Sequence, residues 1–149
     1  MNSRILTLVV CLVVAFVIPA LAGTVVLSVV VPAKPFDQAS QDAAILVNAK
    51  FCDPAMPDSL IGIAEGIVNG KHQTIPLRLV PTSKEDVFAV KQQWPSEGSW
   101  VVTISASEHM TASAIVTLGK NGSVAGATVT NLTRKTTEAD ITKALAMVR

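Results

Sequence analysis

The chain has 149 residues, half of them hydrophobic and 4% aromatic, with 12 Lys and Arg set against 11 Asp and Glu. A near-neutral chain with no basic run excludes an ordinary nucleic-acid-binding surface, and this length holds one domain with a real core but hardly two. Two histidines, two cysteines and singly scattered acids leave little material for a catalytic constellation.

The chain opens on Met1-Asn2-Ser3-Arg4, continues as an uncharged apolar run from Ile5 to Ile18, and then reads Pro19-Ala20-Leu21-Ala22-Gly23. Small side chains three and one positions before a cut complete the three-part pattern of a secretory signal, with Gly23 as the expected mature start. The rival is an uncleaved anchor continuing through Thr24 to Val31, long enough for a bilayer. Pro19, Gly23, Thr24 and Ser28 interrupt such a helix, and the β-branched Thr24–Val31 stretch reads better as a strand. The expected location is therefore periplasmic or secreted. Cys11 leaves with the signal, so Cys52 becomes the single thiol of a chain bound for an oxidising compartment and no internal disulfide forms.

Period-two alternation then gives seven strands. The first is Thr24–Val31; the second is Ile45–Phe51, with Ile45, Val47, Ala49 and Phe51 on one face. The third, Leu60–Val68, is followed by Asn69-Gly70, the strongest short hairpin signal, and by a fourth strand, Gln73–Val80. In the fourth, Ile75, Leu77 and Leu79 face inward, and Pro76, which gives no N–H to a ladder, marks an edge. The fifth strand is Val87–Gln93. After a turn at Trp94-Pro95-Ser96-Glu97-Gly98 the sixth, Ser99–Ala106, sets Trp100, Val102, Ile104 and Ala106 on one face, with Trp100 as core anchor. The seventh, Ala112–Leu118, alternates again, and one more strand is expected around Val124–Val129. Thr137 then caps a short amphipathic helix over Glu138–Val148, with Glu138 and Asp140 in its first turn, where the helix dipole favours them.

Short strands at this spacing predict an all-β, two-sheet sandwich of immunoglobulin or fibronectin type III kind with about seven strands and a C-terminal helix. The tight hairpin keeps the third and fourth strands in one sheet. That favours the fibronectin-like order: first, second and fifth strands against fourth, third, sixth and seventh. The expected organisation is a signal peptide at 1–22, the sandwich at 23–130, and a linker and helix at 131–149.

The stretch from Pro81 to Ile104, with Val87-Phe88 leading into a strand and then Trp94-Pro95-Ser96-Glu97-Gly98-Ser99-Trp100, resembles small bacterial extracytoplasmic sandwiches of the YtkA-like and FixH-like kind. Those tend to show a strand ending in an aromatic, then Pro-x-x-Gly-x-Trp, then an alternating strand. The resemblance covers some 25 residues, lacks the Gly-Tyr pair expected before the fifth strand, and carries over no catalytic residue.

The usual chemical signatures are absent. Gly70-Lys71 continues into His72, with Glu65 where a phosphate-binding loop needs glycine, and there is no H-E-x-x-H or G-x-S-x-G. His72 follows the hairpin turn as a solvated residue. Glu65 shares a strand face with Ile61, Ile63 and Ile67, either as a satisfied buried carboxylate or as the mark of an exposed end. Asn121 and Asn131 have the form of glycosylation acceptors and read as turn and loop residues.

One constellation remains. In such sandwiches the loop after the second strand and the loop after the sixth emerge at the same end. Here they carry Cys52, Met56, His109 and Met110, the soft donors that select Cu(I). The competing reading makes Cys52 a small packed side chain, the methionines gap-fillers and His109 a turn residue. The sequence thus points first to a non-enzymatic, exported binding module without a cofactor, whose partner is an envelope protein or a surface. The alternative is a periplasmic copper-handling protein. Membrane contact is expected only through an uncleaved N-terminal segment.

Overall fold

The computed structural model describes residues 25–51, 60–106 and 112–148. Nine strands and one helix occupy them: β1 (Val25–Val30), β2 (Ala43–Phe51), β3 (Leu60–Val68), β4 (Lys71–Leu77), β5 (Leu79–Pro81), β6 (Val87–Lys91), β7 (Ser99–Ala106), β8 (Ser113–Thr117), β9 (Thr128–Leu132) and α1 (Glu138–Met147). All neighbouring strands pair antiparallel, in a four-stranded sheet ordered β1-β2-β6-β5 and a five-stranded sheet ordered β4-β3-β7-β8-β9. The expected orders survive, each with one strand added.

The core follows from strand parity. Ile45, Val47 and Ala49 of β2 meet Trp100, Val102 and Ile104 of β7 and Ala114 and Val116 of β8, all fully buried. Trp100 is the largest of them; its indole N–H donates to the Glu97 carbonyl at 2.6 Å. Trp94 is also a packing residue: it lies in the same cluster and donates to the Gly122 carbonyl at 2.8 Å.

On the third strand the face that carries Glu65 turns outward. The strand's small residues Gly62, Ala64 and Gly66 face the core, while Ile61, Ile63, Glu65 and Ile67 face outward. The reason is volume. A Cβ on Gly66 would sit 2.4 Å from the Trp100 ring, and one on Gly62 would meet Leu79, Leu77 and Ile104. Space for large side chains on the inner face of β3 is already taken by its neighbours.

The Asn69-Gly70 turn has positive φ at both residues, 49° and 76°, and Val68 pairs directly with Lys71, as the hairpin signal requires. The expected fourth strand, Gln73–Val80, is two strands. β4 pairs with β3 up to Leu77; after Arg78 the chain changes sheets and Leu79–Pro81 pairs with β6. The Gln93 side chain makes this possible: it accepts from the Arg78 N–H at 3.0 Å and donates to the Arg78 carbonyl at 3.2 Å, replacing the ladder bonds lost at the crossing. β6 itself stops at Lys91 rather than running to residue 93. Pro76 lies on an edge strand, as expected.

The strand expected around Val124–Val129 forms later, at Thr128–Leu132. A 3-10 turn at Lys120–Gly122 and a second turn containing Gly126, with φ of 78°, keep residues 120–127 out of the ladder. The Asn121 sequon falls in that 3-10 turn, whereas Asn131 lies within β9 rather than in a loop.

The segment before β2 is tied down by Asp37. Its carboxylate accepts from Ser40 and from the Ser83 N–H at 2.6 Å, and Ser40 is fully buried. These hydrogen bonds, that from the Ser40 side chain foremost, hold the Asp37 carboxyl well below the usual carboxylate range.

Candidate functional site

Both faces of the five-stranded sheet are apolar, because β7 and β8 carry Val101 and Ile115 on the side away from the core. Helix α1 covers them. Ala144, 3% exposed, seats between Val101 and Ile115, with Leu132, Leu145 and Val148 around it. The helix is placed from its N-terminal side. The Ser113 hydroxyl donates to the Arg134 carbonyl at 2.7 Å and accepts from Thr136 at 3.0 Å, which fastens the connecting segment to β8. Thr137 and Asp140 form a reciprocal capping box, and the Arg134 guanidinium grips Asp140 with two bonds of 2.6 and 2.8 Å. The Arg134 bonds, followed by those of Thr137, hold the Asp140 carboxyl far below its ordinary value.

Ten helical residues cannot cover five strands, and α1 lies over β7 and β8. The outer face of β3 is left beside it as one wall of a groove. One part of the groove, about 480 Å³, is bounded by Glu65, Ile67 and His72 on the sheet and by Glu138, Ile141 and Leu145 on the helix. A second part, about 320 Å³, continues past Ile61, Ile63 and Thr103 toward Lys135 and Thr136. Glu65 and Ile141 line both parts and stand at their junction. Ile61 and Ile67, at the two ends of the β3 wall, are 45% and 43% exposed. The Glu65 side chain is only 18% exposed, and its Oε2 lies 3.4 Å from the His72 Nε2. Glu65 is therefore a half-enclosed carboxylate set among isoleucines, and the His72 beside it is 55% exposed, a solvated hairpin residue as expected.

Chemically, such a site offers apolar contact along its length and one acceptor of charge-assisted hydrogen bonds at its middle. The sequence made Glu65 and its three isoleucines visible as one face of one strand. Where the helix would lie, and hence that this face borders a groove, had no sequence signal.

Cys52, Met56, His109 and Met110 lie outside the described residues. The strand ends that flank them are described: Leu60, where β3 begins, pairs with Ala106, where β7 ends. Among the described residues no group of three or more His, Cys, Asp or Glu side chains converges, and no helix is long and apolar enough to cross a membrane. No protein-family model, curated protein or solved structure matches this chain.

Proposed function

We propose that this protein is an exported, non-enzymatic β-sandwich of immunoglobulin or fibronectin type III kind that works by binding, and that its binding surface is the groove between β3 and α1. The sandwich type is supported by the order β1-β2-β6 facing β4-β3-β7-β8. The resemblance to YtkA-like and FixH-like domains is supported by the turn before β7, where Gly98, at φ of 82°, passes so close to the Ile67 carbonyl that no Cβ fits. Export rests on the pattern of residues 1–23, which lie outside the described ones.

The observation that carries the binding reading is the continuity of the two clefts through Glu65. The occupant that fits is an extended segment of a partner protein carrying a basic side chain between apolar ones. Glu65, with Glu138 near one end, receives the base, while Ile61, Ile63 and Ile67 receive the apolar side chains. Titration of the ¹⁵N-labelled protein with acetyl-Leu-Lys-Leu-amide and with its Leu-Glu-Leu twin tests this. The basic peptide should shift amides of residues 61–67 and 141–146, and Glu65→Gln should weaken it about tenfold, the value of one charge-assisted bond. Shifts confined to another surface, or equal binding of both peptides, would overturn the reading.

A soft-metal function for Cys52, Met56, His109 and Met110 is the second reading, and the Leu60–Ala106 pairing is what favours it, since it starts the two carrying segments from adjacent strands. Titration of the reduced protein with Cu(I) against a competing chelator decides it. Binding unchanged in a Cys52→Ser, His109→Ala double variant would exclude this site.

A further inference from the structure

Six large apolar side chains are exposed among the described residues, and four have a local context. Ile61 and Ile67 belong to the groove, Phe36 lies under the Lys84 ammonium at 4.1 Å, and Met147 ends the helix. The other two, Val26 at 61% and Val30 at 46% exposed, stand on β1, the edge strand of the four-stranded sheet.

The molecule treats its edges unequally. β4 carries Pro76, Lys71 and His72, β5 has three residues including Pro81, and β9 is mostly threonine and asparagine. Such short, charged, proline-bearing or polar edges discourage strand addition. β1, Val-Val-Leu-Ser-Val-Val, has no charge and no proline, and Ser28 is its single polar side chain.

The same stretch is nearly palindromic. From Val25 to Val31 it reads Val-Val-Leu-Ser-Val-Val-Val, almost the same in both directions about Ser28. An antiparallel pair related by a twofold axis through Ser28 sets Val26 of each copy opposite Val30 of the other. It also keeps every inward side chain inward, because paired positions share parity. Both exposed valines of each copy then gain an apolar cross-strand neighbour.

We propose that β1 is a self-association edge: two copies of this chain pair antiparallel through β1, centred on Ser28, joining two four-stranded sheets into one of eight strands. The interface is independent of the β3–α1 groove, which lies on the other sheet.

Sedimentation of the full chain, with reciprocal charges placed at the paired positions, tests this. The native chain should form a concentration-dependent dimer. Val26→Lys with Val30→Lys should weaken it at least about tenfold, since two lysine pairs then face each other. Val26→Glu with Val30→Lys in the same chain should restore it, since each Glu then faces the other copy's Lys. A cysteine test fixes the register in a Cys11→Ser, Cys52→Ser background. Ser28→Cys should cross-link under mild oxidation, the paired Cα atoms being about 4.5–5.5 Å apart. Asn48→Cys, one strand inward on the same face, should not, because three strand spacings of roughly 14 Å separate the two copies. A native chain that stays monomeric up to about 1 mM, a double-lysine variant that dimerises as well as native, or Asn48→Cys cross-linking as readily as Ser28→Cys would each overturn the proposal.

Discussion

Trp100 and Gly66 define one packing unit. Trp100 is fully buried, and the close approach of its ring to the Gly66 backbone explains why a strand interior tolerates a glycine there. Trp100→Ala should cost about 3–5 kcal/mol in urea unfolding, the range for large buried aromatics. Gly66→Ala, which on strand propensity alone would help, should instead cost about 1–3 kcal/mol by overpacking. In a Trp100→Leu background that penalty should shrink without vanishing, because the ring atoms that Cβ would strike are gone while the Ser99 carbonyl oxygen at 2.8 Å stays, so a double-mutant cycle should show coupling. Additive effects would mean that ring and glycine are not in contact.

Gln93 is a second residue whose part is backbone chemistry. Its amide answers both polar groups of Arg78 where the chain leaves one sheet for the other. Gln93→Ala should destabilise by about 1 kcal/mol through loss of both bonds, and Gln93→Glu by more, since its carboxylate keeps the bond from the Arg78 N–H but is set against the Arg78 carbonyl, acceptor facing acceptor. Thermal unfolding of the two variants checks this order; a Gln93→Glu variant more stable than Gln93→Ala would mean that the accepted bond matters and the donated one does not.

At the scale of the element, α1 depends on its first turn. Thr137→Ala should cost about 1 kcal/mol by removing the cap. The pH dependence follows from Asp140, whose carboxyl the Arg134 bonds, then those of Thr137, lower from an ordinary 3.8. A carboxyl lowered on folding contributes stability that is complete above the unfolded value and is lost as pH falls toward the folded one. Exchange protection of the α1 amides should therefore be flat above pH 5 and weaken below about pH 4. In Asp140→Asn the protection should be lower throughout and lose that slope. A carbon-13 titration placing the Asp140 carboxyl near 4 would contradict the hydrogen bonding described.

For the molecule as a whole, two apolar clusters lie on opposite faces of the five-stranded sheet, the core between the sheets and the smaller one under α1. They share that sheet but no side chain, so the helix should detach without loss of the sandwich. Ala144→Asp buries a charge between Val101 and Ile115. It should reduce exchange protection in α1 by tenfold to a hundredfold, about 1–3 kcal/mol, while the near-ultraviolet signal of Trp94 and Trp100 persists. Peptide binding at the groove should fall with the helix. Simultaneous loss of the tryptophan signal would mean that the two clusters form one cooperative unit.

Much of this is local enough to be written in the sequence. Asn69-Gly70 fixes a hairpin because few residue pairs accept positive φ twice, Thr137 and Asp140 fix a helix start, and period-two runs group the residues that share a face of β2 and β7. Of the groove, only the grouping of Glu65 with Ile61, Ile63 and Ile67 was legible, and that was a statement about one strand. Only the tertiary structure decided that this isoleucine face turns outward, because the choice depends on where Trp100 places its volume, thirty-odd residues away. It alone decided that the chain changes sheets at Arg78, which requires a side chain from Gln93, and that α1 covers β7 and β8 but only borders β3. Periodicity records what a residue's neighbours in the chain demand. Which of two apolar faces becomes the core, and which becomes the wall of a groove, is settled by competition for space among residues distant in sequence.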